Sequence, residues 1–169
     1  MNLIYYLIMM ALALGLQHGV SDLVAIRGVA PDFILIAVCA VSLFAGRGQG
    51  TLWGLGIGFV EDALSGSLLG SHALALSLVG FISGSVMSYR SLQSAYSLNA
   101  GLIVGVLAIL QHLLLYIIII QGGAGLLQGL ALGIVLPAIY TMFWALIIFA
   151  IVPESIWEKI YKTEPTPLF

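Results

Sequence analysis

Charge is the scarcest ingredient of this chain. Only 7% of its 169 residues are Asp, Glu, Lys or Arg, against about 25% in soluble domains. Of the twelve charged residues, five lie in the last sixteen positions, and none stands between Arg90 and Glu154. With 62% hydrophobic residues and a mean hydropathy of +1.17, too little polar surface remains to face water, so an integral membrane protein is expected. Cysteine is nearly missing. Cys39 alone, within an apolar run, excludes a disulfide framework and a cysteine-based zinc cluster. Basic clusters are absent and the formal net charge is -2, which argues against nucleic-acid binding. The three histidines, His18, His72 and His112, share no metal-ligand spacing. No nucleophile stands beside a base and no cofactor signature occurs, so no catalytic, cofactor or metal residue is assigned.

What is abundant is apolar sequence in runs. A membrane-crossing helix needs roughly 17–25 apolar residues. Spans are expected at about 3–18, 33–46, 50–64, 71–89, 98–120 and 126–152, giving an all-α six-helix bundle over residues 1–152. The first run resembles a signal peptide but lacks a preceding Lys or Arg, so it is read as retained. The second and third runs are short and meet at Arg47-Gly48-Gln49-Gly50, which suggests a hairpin. A five-span alternative leaves these two short runs not both crossing. Six spans collect Arg47, Arg90, Lys159 and Lys162 on one side and leave Arg27 on the other. Positive residues favour the cytoplasm, so both termini are expected inside. Residues 153–169 read as a short interfacial helix anchored by Trp157 and Tyr161, followed by a mobile tail containing Pro165 and Pro167.

Glycine is plentiful, with 20 in the chain, and its placement is regular. Gly50, Gly54, Gly58, Asp62, Gly66 and Gly70 recur every four residues. Such positions drift only about 40° per step around a helix, so the first three form one smooth stripe. Helices in lipid gain no hydrophobic drive from meeting and depend on close backbone approach, which small residues allow. Gly80 and Gly84, Gly101 and Gly105, and Gly125, Gly129 and Gly133 repeat the device on later runs. Each stripe either packs internally or presents a face to a partner. Gly66 and Gly70 predict a tight reversal, and Pro137 predicts a kink in the last span.

Asp62 carries three open readings: a cap for the turn at Gly66–Ser71, a contact for a partner or gate, and a proton or ion site. Neighbouring Glu61 points about 100° away around the helix, so the two acids do not converge. Pro31-Asp32 suits the start of a helix. Gln111-His112, deep in the fifth run, is the leading candidate for a buried polar contact.

The stretch from Ala30-Pro31-Asp32 through Gly46-Arg47-Gly48-Gln49-Gly50 to Gly54…Gly58…Asp62…Gly66…Gly70 resembles the bacterial rod shape-determining protein MreD family. Pro31, Asp32, Arg47, Gly50, Gly54, Gly58, Asp62, Gly66 and Gly70 match its pattern, and outside this block the likeness is generic hydrophobicity. The resemblance implies a non-enzymatic inner-membrane subunit of the machinery that elongates the lateral peptidoglycan wall. Its implied direct partner is the single-span protein MreC. Through that protein come MreB, the glycosyltransferase RodA and a class B penicillin-binding protein, with the lipid bilayer as surroundings. The family is also similar in fold to S components of energy-coupling-factor transporters. This leaves a small-solute, vitamin-binding subunit as the alternative, with Gln111, His112, Asp62 and His72 as its polar groups. In the leading reading, the glycine grooves at Gly50, Gly54 and Gly80 dock the span of MreC.

Overall fold

The computed structural model describes residues 3–86, 96–119 and 131–152. The expected interfacial helix, the tail, Arg90, Gly125 and Gly129 lie outside the described residues. The elements are α1 (Leu3–Gly19), α2 (Ser21–Val24), α3 (Phe33–Ser65), α4 (Ser71–Val86), α5 (Tyr96–Ile119) and α6 (Leu136–Ile151), the last entered through a π-helical turn at Ala131–Val135. Among the described residues there is no strand, only an isolated bridge between Ile26 and Val29. Pro137 sits in the first turn of α6, directly after the π-helical turn.

α3 is broken once, at Gly46, whose φ of 83° and ψ of 174° are non-helical. The chain reverses there. A Cβ on Gly50 would lie 2.0 Å from Ser42 Oγ, and Asp32 and Glu61 line the same cavity. On a straight helix, Asp32 and Glu61 would stand about 44 Å apart. The reversal therefore falls at Gly46, and Arg47-Gly48-Gln49-Gly50, expected as the turn itself, is already helical.

The first limb, 33–45, is the centre of the molecule. Phe33 to Leu43 are all buried, with Leu35, Val38, Cys39 and Val41 at 0% exposure. A helix apolar on every face belongs in a core or in a membrane, and this limb is enclosed by its neighbours. α1 covers it from one side through Tyr6, Met10 and Ala13, and Tyr6 also stacks on Trp53 at 5.3 Å between ring centroids. α6 closes another side, where Trp144 meets Phe33 edge-on. α5 and α6 pack knob into hole, with Leu146 over Gly101 and Met142 over Gly105.

The outside reverses the pattern of a soluble protein. Leu12, Leu52, Phe59, Leu74, Phe81, Leu102, Val106, Ile117, Ile139, Phe143 and Ile151 are exposed, while Ser42, Asp62, Ser83, Gln111 and Thr141 are buried. Two helices, Leu98–Ile118 and Gly133–Ile151, are long and apolar enough to cross a membrane. Tyr6–Gly19, Phe33–Leu43 and Ser71–Val86 are shorter apolar helices.

Gly46 occupies a region of backbone space that is essentially glycine-only. No neighbouring atom would obstruct a Cβ there, so a substitution tests backbone strain alone. Gly46→Ala is expected to cost about 1–3 kcal/mol, measured as a fall in melting temperature in detergent.

Candidate functional site

The stripe of glycines on the second limb of α3 faces α4. A Cβ on Gly54 would lie 2.3 Å from the carbonyl oxygen of Leu76, and one on Gly58 would lie 2.4 Å from Ala73 Cα. Gly50 and Gly80 oppose each other, with an added Cβ on Gly80 only 2.2 Å from Gly50 O. Gly84 lies against the backbone of Arg47, whose side chain is exposed. The two helices thus touch backbone to backbone along four successive steps. α4 fills the groove completely, so these glycines offer nothing to a neighbouring chain. That corrects the expected docking of a partner span at Gly50, Gly54 and Gly80.

Asp62 continues the stripe and ends it. Its side chain is buried and accepts six hydrogen bonds. Oδ1 accepts from the hydroxyls of Ser67 and Ser71 at 2.9 and 3.0 Å, from the N–H of His72 at 3.0 Å and from its Nδ1 at 2.8 Å. Oδ2 accepts from the N–H of Gly70 at 2.8 Å and of Ala73 at 3.3 Å. The carboxylate caps the N-terminus of α4 from another helix, satisfying N–H groups that a helix start leaves unpaired. Gly66 at φ 65° and Gly70 at φ 98° make the turn that brings those donors round.

A separate polar cavity of about 280 Å³ lies at the same end of the molecule. Gln17, Asp32, Glu61, His72, Gln111 and His112 face it, beside the apolar Ala30, Pro31, Ile34, Leu76 and Leu115. Glu61 and Asp62 diverge, the first toward the cavity and the second into the turn. Asp32 caps α3, with Oδ1 accepting from Leu35 N at 2.8 Å. Its Oδ2 accepts from Gln111 Nε2 at 2.6 Å, and its own N–H donates to Thr141 Oγ1 at 3.0 Å. Gln17 accepts from Phe33 N at 2.8 Å, and His18 contacts Glu61 at 2.9 Å. His112 Nδ1 donates to Ala108 O at 2.8 Å. The structure therefore joins Asp32 of the sequence motif to Gln111 and His112, while Asp62 stays outside the cavity wall.

Sequence reasoning did not assign Gln17, His18 or Thr141 to this site. The available signal was position for Gln17 and His18, polar residues at the end of an apolar run, whereas Thr141 lies inside the sixth run and carried none. No group of three His, Cys, Asp or Glu residues suited to a metal occurs among the described residues.

A second hollow is apolar. It is a groove of about 470 Å³ between α4 and α5, lined by Thr51, Leu74, Ala75, Ser77, Leu78, Phe81, Leu114 and Ile118.

In comparisons with known proteins, the family model described as rod shape-determining protein MreD matches residues 1–153. No curated protein and no solved structure matches the chain.

Proposed function

The chain belongs to the rod shape-determining protein MreD family, a family of shape-determining membrane proteins rather than a known enzyme family, and from that premise we propose how it acts. It is a non-enzymatic subunit of the wall-elongation machinery. It crosses the bacterial inner membrane six times, with both termini in the cytoplasm. Its direct partner is the single transmembrane span of MreC, and through MreC it supports lateral peptidoglycan synthesis by RodA and a class B penicillin-binding protein along MreB.

The observation that carries this reading is the division between closed and open faces. The glycine stripe is closed by α4, whereas the groove between α4 and α5 stays open and apolar. Leu74, Leu78 and Phe81 recur on one face of α4 and are all exposed. Thr51, Ala75 and Ser77 keep part of the groove shallow enough for a helix to approach closely. A span lying there would bury leucine and phenylalanine side chains against a matched surface and gain the dispersion contacts on which association in lipid depends.

Site-directed cross-linking tests it. Cys39, the one native cysteine, is fully buried, so an added thiol on the surface is the reactive one. Ser77→Cys and Leu78→Cys are expected to cross-link efficiently to the span of MreC. Leu55→Cys and Phe59→Cys, on the outward face of α3, are expected to give little product. The reverse pattern would move the docking face to α3 and remove this proposal.

A further inference from the structure

We infer that the polar cavity binds a primary ammonium group, carried by an aminated lipid headgroup or by a small soluble amine. This goes beyond the docking of MreC, because the cavity and the α4–α5 groove share no lining residue.

Gln111 is 1% exposed and lines the cavity, and its Oε1 has no hydrogen-bond partner among the described residues. A buried carbonyl oxygen without a donor is costly, and a native structure tends to supply one. Its own amide nitrogen is spent on Asp32, so the donor must come from elsewhere. Few groups around it can provide one: apart from the side-chain amide of Gln17, whose oxygen accepts from Phe33 N, the polar lining groups are acceptors or committed donors. Asp32 and Glu61 only accept when ionised. His72 commits Nδ1–H to Asp62, and His112 commits Nδ1–H to Ala108 O. In the neutral ring, each Nε2 is then a further acceptor.

Charge points the same way. Two carboxylates face the cavity, and neither described basic residue lines it: Arg27 is exposed on the turn between Ile26 and Val29, just before Pro31. Arg47, one of the two described basic residues, belongs to the other end of α4, against Gly84. His18 stands beside Oε2 of Glu61 at 2.9 Å. Carboxylates at a membrane protein's interior call for a compensating cation. A metal ion would need a convergent ligand set, and the described residues do not form one. A primary ammonium meets both demands with one charge and three N–H donors. It also fits a hollow of about 280 Å³.

The decisive comparison keeps the charge and removes the donors. The full chain is placed in phosphatidylglycerol nanodiscs containing phosphatidylethanolamine, its mono- or dimethyl form, or phosphatidylcholine, and retained lipid is counted by native mass spectrometry. Retention is expected to fall stepwise as N–H groups are methylated, reaching about tenfold between the two ends, the ratio that loss of a charged hydrogen bond implies. Gln111→Met and Glu61→Gln are expected to abolish the preference. In a parallel arm, ethanolamine and choline are added to protein in detergent. A rise in melting temperature with ethanolamine alone, without a lipid preference, assigns the site to a soluble amine. Equal behaviour of the ammonium and quaternary compounds in both arms overturns the inference. So does a preference that survives in Gln111→Met folded as the native chain. If that variant fails to fold, the methylation series on the native chain decides alone.

Discussion

A Gly54→Leu variant is expected to lose the folded bundle. At this position even the first added carbon would lie 2.3 Å from the carbonyl oxygen of Leu76 and 2.7 Å from its carbonyl carbon. Those atoms are backbone, held in the hydrogen-bonded ladder of α4, so no flexible side chain can swing away. Relief requires the two helices to separate, and separation undoes the contacts at Gly50, Gly58 and Gly80 together. Overpacking a tight core costs about 1–3 kcal/mol and sometimes more. Here the whole α3–α4 interface moves, so the loss is expected at or above the top of that range. Folded proteins hold only about 5–15 kcal/mol in reserve. The measurement is the yield of monodisperse protein in detergent and its melting temperature. Gly56→Ala provides the contrast, since it lies two residues away on the opposite face with open space around it. It is expected to be neutral or to stabilise by up to about 1 kcal/mol through helix propensity. A Gly54→Leu chain that melts with the native one would refute backbone contact between these helices.

The four-residue period of glycine was legible because it follows from helix geometry alone. What lies opposite it was not, since small residues specify closeness and leave the neighbour unnamed. A hint was nevertheless present. Steps of four forward along α3 at Gly50, Gly54 and Gly58 meet steps of three or four backward along α4 at Gly80, Leu76 and Ala73, and only a short turn joins the two helices. Two stripes so close in sequence are each other's simplest partner. The capping role of Asp32 was legible for the same local reason, as it bonds to Leu35 three residues ahead. Its other oxygen meets Gln111, 79 positions away, and no periodicity encodes such a pairing. The cavity is built almost wholly from contacts of that second kind. The sequence could offer its polar residues as candidates and could not assemble them.

Asp62→Ala is expected to be the most damaging single change outside the glycine interface. The carboxylate serves six donors, three of them backbone N–H groups of Gly70, His72 and Ala73. Those N–H groups cannot turn to one another, and although Gly70 and His72 are half-buried, Asp62 and Ala73 are buried at 1% and 0% exposure, so water reaches the Ala73 N–H only by opening the turn. Each buried donor left unpaired costs about 1–3 kcal/mol. Even with incomplete additivity, the loss is expected to exceed about 3 kcal/mol. Asp62→Asn keeps one accepting oxygen and turns an amide N–H₂ toward donors on the other side, so it should fall between the alanine variant and the native chain. Asp62→Glu should not rescue, because its extra methylene carries the carboxylate past a pocket shaped by residues 66–73. Thermal melting orders the three, and limited proteolysis at 66–70 reports whether the turn has opened. The same series separates folding from assembly. If MreC docks as proposed, Asp62→Ala should lose it together with its melting transition, whereas Leu78→Ala in the α4–α5 groove should lose it while melting nearly as the native chain does. An Asp62→Ala protein of native stability that no longer recovers MreC would instead make the carboxylate part of the partner contact.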